Sequence, residues 1–219
     1  IGYIPAGSTN DFANSLKLSN VMERAAVTVM EDKRYACDIG AFNDDIFVYI
    51  AAFGIFTDVS YETRQDVKNM LGHMAYLLEG MKRLPTAANS YRLRVEYSDI
   101  VIEEDFIFGM VTNSFSVGGF KSITGKNVKL NDGLFEVTLI KQPKNALEMQ
   151  GIMTALLTRE TDERYMYSFK TAKLRILSEK KIPWTLDGEF GGDHREVLIE
   201  NHQKAMEIIV PANKRQLLE

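Results

Sequence analysis

Residues 1–13, IGYIPAGSTNDFA, run from an apolar tetrapeptide through a proline and a glycine into Asn-Asp-Phe-Ala. Ile1 to Ile4 reads as the end of a strand and Pro5 to Thr9 as a turn. Phe12, Ala13 and Leu16 then form one side of a helix that Thr9 or Asn10 could cap through a short polar side chain. Gly7 lets a ligand approach the backbone, Ser8 and Thr9 offer hydroxyls, and the helix would turn its positive end back on the loop, which suits bound phosphate. Asp11 adds a carboxylate in the first helical turn. An ordinary capped helix explains the same residues equally well, because short Gly/Ser loops are common. A strand, loop and helix of this kind belong inside an α/β domain, yet almost nothing precedes them here. The chain opens on Ile1 rather than Met, so its front is expected to have been cut or processed.

Working outward, a second helix is expected after Ser19 and Asn20, with Val21, Met22, Ala25, Ala26, Val29 and Met30 at helical spacing. After Asp32 the texture changes. Residues 34–54 read as two strands joined at Asn43-Asp44, residues that tolerate left-handed backbone angles. A long helix is expected from Tyr61 to Leu84, striped by Val67, Met70, Leu71, Met74, Leu77, Leu78 and Met81 and ended by Pro85. Residues 91–114 read as a hairpin and a third strand, and residues 134–140 as another. A helix over Asn145–Thr158 would turn Leu147, Ile152, Leu156 and Leu157 inward, and four more short strands follow. The fold class is therefore α+β and mainly β, a sandwich or open barrel carrying a long helix. The one candidate boundary lies near Asp32, separating residues 1–32 from residues 33–219.

Composition narrows the function. The chain has 219 residues, 45% of them hydrophobic, and a formal net charge of −4 with both signs interspersed. No clustered basic face points to nucleic acid. A single cysteine, Cys37, rules out an internal disulfide, suits a reducing cytosol and reads as a small core residue. No apolar run reaches the ~20 residues of a membrane span. His73, His194 and His202 lie far apart without zinc spacing.

Two further stretches could carry chemistry. In WTLDGEFGG, residues 184–192, a hairpin tip explains the glycines, but Glu189 between two glycine turns would project from a rigid strand end, where a general base is often placed. In VKLNDGLFEV, residues 128–137, Asn131-Asp132-Gly133 is a turn signal; Asp132 with turn carbonyls would also suit a hard cation such as magnesium.

Together, Gly7-Ser8-Thr9-Asn10-Asp11-Phe12-Ala13, Asn131-Asp132-Gly133-Leu134 and Asp187-Gly188-Glu189 resemble, in order and separation, the soluble bacterial diacylglycerol kinase-like lipid kinases. The resemblance covers essentially the whole chain. It implies a two-domain protein: a front α/β nucleotide-binding domain with a Gly-Gly-Asp-Gly-Thr motif, and a rear β-sandwich. Residues 1–32 then look like the remnant of the front domain (last strand, loop and helices), and residues 33–219 like the rear one.

The resemblance further implies ATP as co-substrate, Mg2+, and a lipid substrate such as diacylglycerol. Ser8 stands for a threonine that contacts ATP, with Gly7, Thr9 and Asn10 beside it. Asp11 lies by the triphosphate and its metal, and Glu189 is the base on the lipid hydroxyl. Lys129, Asp132 and Leu134 form a structural magnesium site made largely of main-chain oxygens. Asn14 replaces a common arginine. The protein would be cytoplasmic and touch membranes transiently. Lacking the opposite wall of the site, this chain is expected to be inactive by itself. Its Ile1–Leu18 end would be loosely held and could pair with a second copy as a homodimer. An NAD kinase-like enzyme and a non-catalytic lipid- or partner-binding sandwich are the competing readings.

Overall fold

A computed structural model describes residues 1–7, 9–55, 90–118, 123–124, 127–158 and 161–212, with the side chain of Leu157 left aside. Ser8, His73 and the helix expected over Tyr61–Leu84 lie outside the described residues.

Two short helices come first, α1 (Asp11–Ser15) and α2 (Met22–Val29). The chain then forms β1 (Arg34–Phe42), β2 (Asp45–Phe47), β3 (Ile50–Gly54), β4 (Tyr91–Tyr97), β5 (Ile100–Thr112) and β6 (Phe135–Lys141). Helix α3 (Ala146–Thr158) precedes β7 (Met166–Thr171), β8 (Lys173–Leu186) and β9 (Glu189–Ile209). The described strands make one nine-stranded antiparallel sheet in the order β2-β1-β9-β8-β3-β5-β6-β7. Strand β4 lies in line with β3, both of them between β5 and β8: β3 pairs with Phe108–Thr112 and Trp184–Leu186, β4 with Ile100–Phe106 and Arg175–Ser178.

The sheet curls. Phe47 of β2 packs on Phe135 of β6, ring centroids 5.3 Å apart, although the two strands are far apart in the sheet order. Tyr97 of β4 stacks on Phe169 of β7 at 3.8 Å. Inside, Trp184 lies against Phe42 and Phe53 at 5.0 and 4.8 Å. Gly109 gives Phe53 its room, since a Cβ there would fall 2.2 Å from that ring. Outside, α3 covers β3, β5 and β6 through Ile152, Ala155 and Leu156 against Ile107, Met110 and Ile140. Strand β6 is consequently buried on both faces, which is why its sequence reads as a nearly continuous apolar run.

Several expectations change. Residues 91–112 form a two-stranded hairpin rather than a hairpin and a third strand, because β5 continues unbroken for 13 residues. The four short strands expected toward the end are three, two of them long. Glu179-Lys180-Lys181 fall between two of those expected strands but are exposed residues of β8, where its register with β9 shifts between Leu177 and Ile182. Leu147, expected inward, is 77% exposed, while Ile152 and Leu156 are buried as expected. On α2 the helical spacing holds, but Val21, Met22, Val27 and Met30 are exposed and Ala25 is buried. The segment expected to be loosely held is packed. Ala13 and Leu16 are fully buried in a cluster with Tyr35, Cys37, Leu130 and Ile208, and Ile1 exchanges backbone hydrogen bonds with Glu207 and Ile209 of β9. Ile1–Ile4 themselves form no strand.

Candidate functional site

A cavity of about 410 Å³ opens where the front loop meets the β2–β3 turn and the β8–β9 turn. Gly7, Thr9, Asn10 and Asp11 line it from one side and Val48, Tyr49 and Asp187 from the other, over an apolar floor that includes Tyr3, Phe12 and Ile208. Two of the three sequence motifs are thus brought together by residues some 180 positions apart in the chain.

The loop is not capped as expected. Asn10 precedes α1 in a left-handed conformation (φ 50°), and no side-chain cap bond forms. Asn14 instead donates through Nδ2 to the Thr9 carbonyl at 3.0 Å and accepts at Oδ1 from Asn20 Nδ2 at 3.1 Å, tying the loop to the chain after α1. With five residues α1 has little macrodipole, so the loop's capacity for a charged ligand rests on its side chains and amides.

Asp11 is 4% exposed. Ser116 Oγ donates to its Oδ1 at 2.5 Å and the Tyr49 hydroxyl to its Oδ2 at 3.3 Å. Burial, and next the charge of Asp11, push the Tyr49 phenol far above its ordinary range, so Tyr49 is a donor throughout the physiological range. A serine chain backs this up: Ser15 Oγ donates to the Asp11 carbonyl at 2.9 Å and lies 2.8 Å from Ser114 Oγ, which donates to the Ser116 carbonyl at 2.7 Å.

Asp187, in the Asp-Gly-Glu turn, accepts three backbone amides: Val48 at 2.7 Å on Oδ2, Tyr49 at 2.8 Å and Ile50 at 2.9 Å on Oδ1. Tyr49 therefore spans both motifs, its side chain on Asp11 and its amide on Asp187. Gly188 follows with φ 95° and open space around it, and Glu189 stands exposed at the start of β9, paired with Leu186. Glu189 does not itself line the cavity.

The third motif directly follows Leu130, which packs in one cluster with Ala13 of α1. Asp132 Oδ1 accepts from the Leu134 amide at 3.1 Å, and Gly133 takes φ 82°. Among the described residues no group of three or more His, Cys, Asp or Glu side chains could hold a metal ion. The turn offers one carboxylate, that of Asp132, which is the donor type a hard cation such as magnesium takes.

Sequence reasoning missed the residues that hold these motifs. Asp38, fully buried, accepts from the Gly133 amide at 2.7 Å, the Lys204 amide at 2.7 Å and Asn201 Nδ2 at 3.3 Å. Glu136 is 2% exposed and lies 2.9 Å from Lys170 Nζ; burial raises its carboxyl to about 7 despite the ammonium. An acid inside an apolar strand, as in ACDIGAF (36–42) and LFEVTLI (134–140), was the available signal. Cys37 is a core thiol, as expected, raised to about 12 by burial and then by Asp38. His194 bridges Asn43 Nδ2 and the Gly191 carbonyl and has no metal geometry, and His202 is exposed.

No protein-family model matches the chain. The diacylglycerol kinase of Bacillus subtilis (strain 168) is 30% identical over 220 aligned positions, covering 100% of this chain and 72% of that protein. The diacylglycerol kinase of Staphylococcus saprophyticus is 31% identical, over 95% of this chain and 71% of that one. Among solved structures, a candidate diacylglycerol kinase from Bacillus anthracis str. Sterne superposes with a TM-score of 0.79 over 96% of this chain and 69% of its own, at 22% identity. A diacylglycerol kinase from the same organism gives 0.69 over 96% and 66%, at 19% identity. The solved structures share this mainly β fold. The curated relatives, at 30% identity or more over more than two thirds of their length, carry the family: this chain belongs to the diacylglycerol kinases.

Proposed function

We propose that this chain supplies the lipid-facing part of an ATP-dependent lipid kinase, which phosphorylates the hydroxyl of diacylglycerol or a similar lipid. The observation that carries this is Tyr49, which ties Asp11 of the Gly-Ser-Thr-Asn-Asp loop to Asp187 of the Asp-Gly-Glu turn across one cavity. In the reaction the lipid oxygen bonds to the γ-phosphorus, the bond from that phosphorus to the β,γ-bridging oxygen breaks, ADP departs, and Glu189 takes the hydroxyl proton. Gly7, Ser8, Thr9 and Asn10 hold the phosphates, and Asp11 faces the metal that accompanies them. Magnesium, when bound, offsets the charge of the phosphates. A second magnesium would be held by Lys129, Asp132 and Leu134, largely through main-chain oxygens, and would brace the turn. Exposed Glu189 suits a base that must meet a lipid arriving from a membrane surface, and base catalysis of this kind is worth about 10²–10⁴-fold.

Residues 1–32 belong, in this account, to a front α/β domain, and residues 33–219 to a rear domain built on the curled sheet. The exposed Val21, Met22, Val27 and Met30 on α2 support this, because a further layer packed there would bury them. A second copy of the chain would serve the same face in a homodimer. Residues 1–219 contain no Gly-Gly-Asp-Gly-Thr run, so the chain offers one wall of an ATP site and does not phosphorylate lipid by itself. No described helix is long and apolar enough to cross a membrane, and we place the protein in the cytoplasm with peripheral contact during turnover. Calorimetric titration of Mg·ATP into the purified chain should give no binding in the micromolar range; micromolar binding, or lipid phosphorylation by the chain alone, would refute the single-wall account.

A further inference from the structure

Lys170 and Glu136 stand directly opposite each other in the β6–β7 pair. Lys170 Nζ lies 2.9 Å from Glu136 Oε1, 3.8 Å from Asp132 Oδ2, and donates to the Asn127 carbonyl at 2.7 Å. The ammonium thus sits among two carboxylates and a main-chain carbonyl, the oxygen set that a hard divalent cation also takes. Glu136 is nearly inaccessible, and the Lys170 ammonium is the cation that lies against it. The same ammonium leans on Asp132, the one carboxylate that the turn offers to the structural magnesium proposed above. Two cations cannot draw fully on a single carboxylate at such range.

We propose that Lys170 is a resident cation of the Asn131–Leu134 turn and sets its affinity for magnesium, competing with the divalent ion for Asp132. The inference rests on the magnesium placement proposed above. It makes the turn self-sufficient: with the ammonium in place, the chain keeps this turn folded at low magnesium, and the ion adds little. Lys170 acts here through Asp132 rather than on any reacting atom.

The test is calorimetric titration of MgCl2 into the full chain, with thermal unfolding in EDTA and in excess Mg2+ as a second readout. Lys170→Met should bind Mg2+ at least about tenfold tighter than the unaltered chain and should gain several degrees of melting temperature from the ion, where the unaltered chain gains about one or less. Because Lys170→Met removes the cation against buried Glu136 and could fail to fold, Lys170→Met/Glu136→Gln carries the same test. It removes one positive and one negative charge together, so tighter Mg2+ binding than the unaltered chain cannot come from a change in net charge. Asp132→Asn should abolish binding in every background. If Asp132→Asn abolishes binding but neither Lys170 variant binds tighter, Lys170 does not set the affinity and the magnesium placement stands. If neither the unaltered chain nor the Lys170 variants bind Mg2+, the placement itself falls, and the role of Lys170 with it.

Discussion

Asp187 and Glu189 are two residues apart, yet the structure gives them opposite work. Asp187 is committed to the backbone, accepting the amides of Val48, Tyr49 and Ile50, whereas Glu189 is exposed at a strand start. Asp187→Ala should therefore cost about 2–3 kcal/mol of stability, since charge-assisted bonds are lost and the turn that carries Tyr49 is loosened. Glu189→Gln should stay within about 0.5 kcal/mol of the unaltered chain, as surface changes away from such networks do. Urea unfolding of the two variants checks both values, and equal losses would show that the carboxylates are not divided in this way. Both acids stood out in the sequence because Asp-Gly-Glu is chemically conspicuous there. Their division of labour did not, because the three amides come from residues about 140 positions away.

At the scale of elements, Asp38 is the joint. From β1 it holds the Gly133 amide of the Asn131–Leu134 turn and the Lys204 amide of β9, where Lys204 takes φ 54° and the β1–β9 register shifts between Cys37 and Ile39. Asn113 adds a bond from its side chain to the Asp38 carbonyl at 2.9 Å. Asp38→Ala would leave buried donors without an acceptor and should cost about 3–5 kcal/mol, more than Asp187→Ala, read from the shift in denaturant midpoint. This is also where legibility ended. The β1–β2 turn was readable from Asn43-Asp44, since Asn43 does take φ 51°, and the α3 segment from its length and spacing. The long strands β8 and β9 were not. Their bulges place Glu179-Lys180-Lys181 and Gly191-Gly192 in mid-strand, and from sequence such residues look like punctuation. The bulge at Asp38 likewise depends on a β1–β9 pairing that spans most of the chain.

Over the whole molecule, one curled sheet places the front loop, the Asp-Gly-Glu turn and the Asn-Asp-Gly-Leu turn on a single scaffold, and its stability should carry the mark of Glu136. That carboxyl is raised from 4.5 to about 7, mainly by burial. Between those values the folded chain holds a proton that the unfolded chain has released, so this residue's contribution falls as pH rises from about 4.5 through about 7 and is flat above. Glu136→Gln should remove that fall, on the order of 3 kcal/mol over the window, from unfolding free energies measured across pH. An unchanged pH profile would mean that Glu136 does not titrate as a buried acid. The kinase assignment is tested most directly by labelled phosphate transfer. A longer protein carrying residues 1–219 behind a glycine-rich nucleotide-binding domain is given γ-labelled Mg·ATP and diacylglycerol vesicles, as the unaltered protein and as Glu189→Gln. Label should appear on the lipid with the unaltered protein and fall by about 10²–10⁴-fold in Glu189→Gln at unchanged melting temperature. Normal turnover by Glu189→Gln, or no lipid labelled by the unaltered protein, would contradict the assignment.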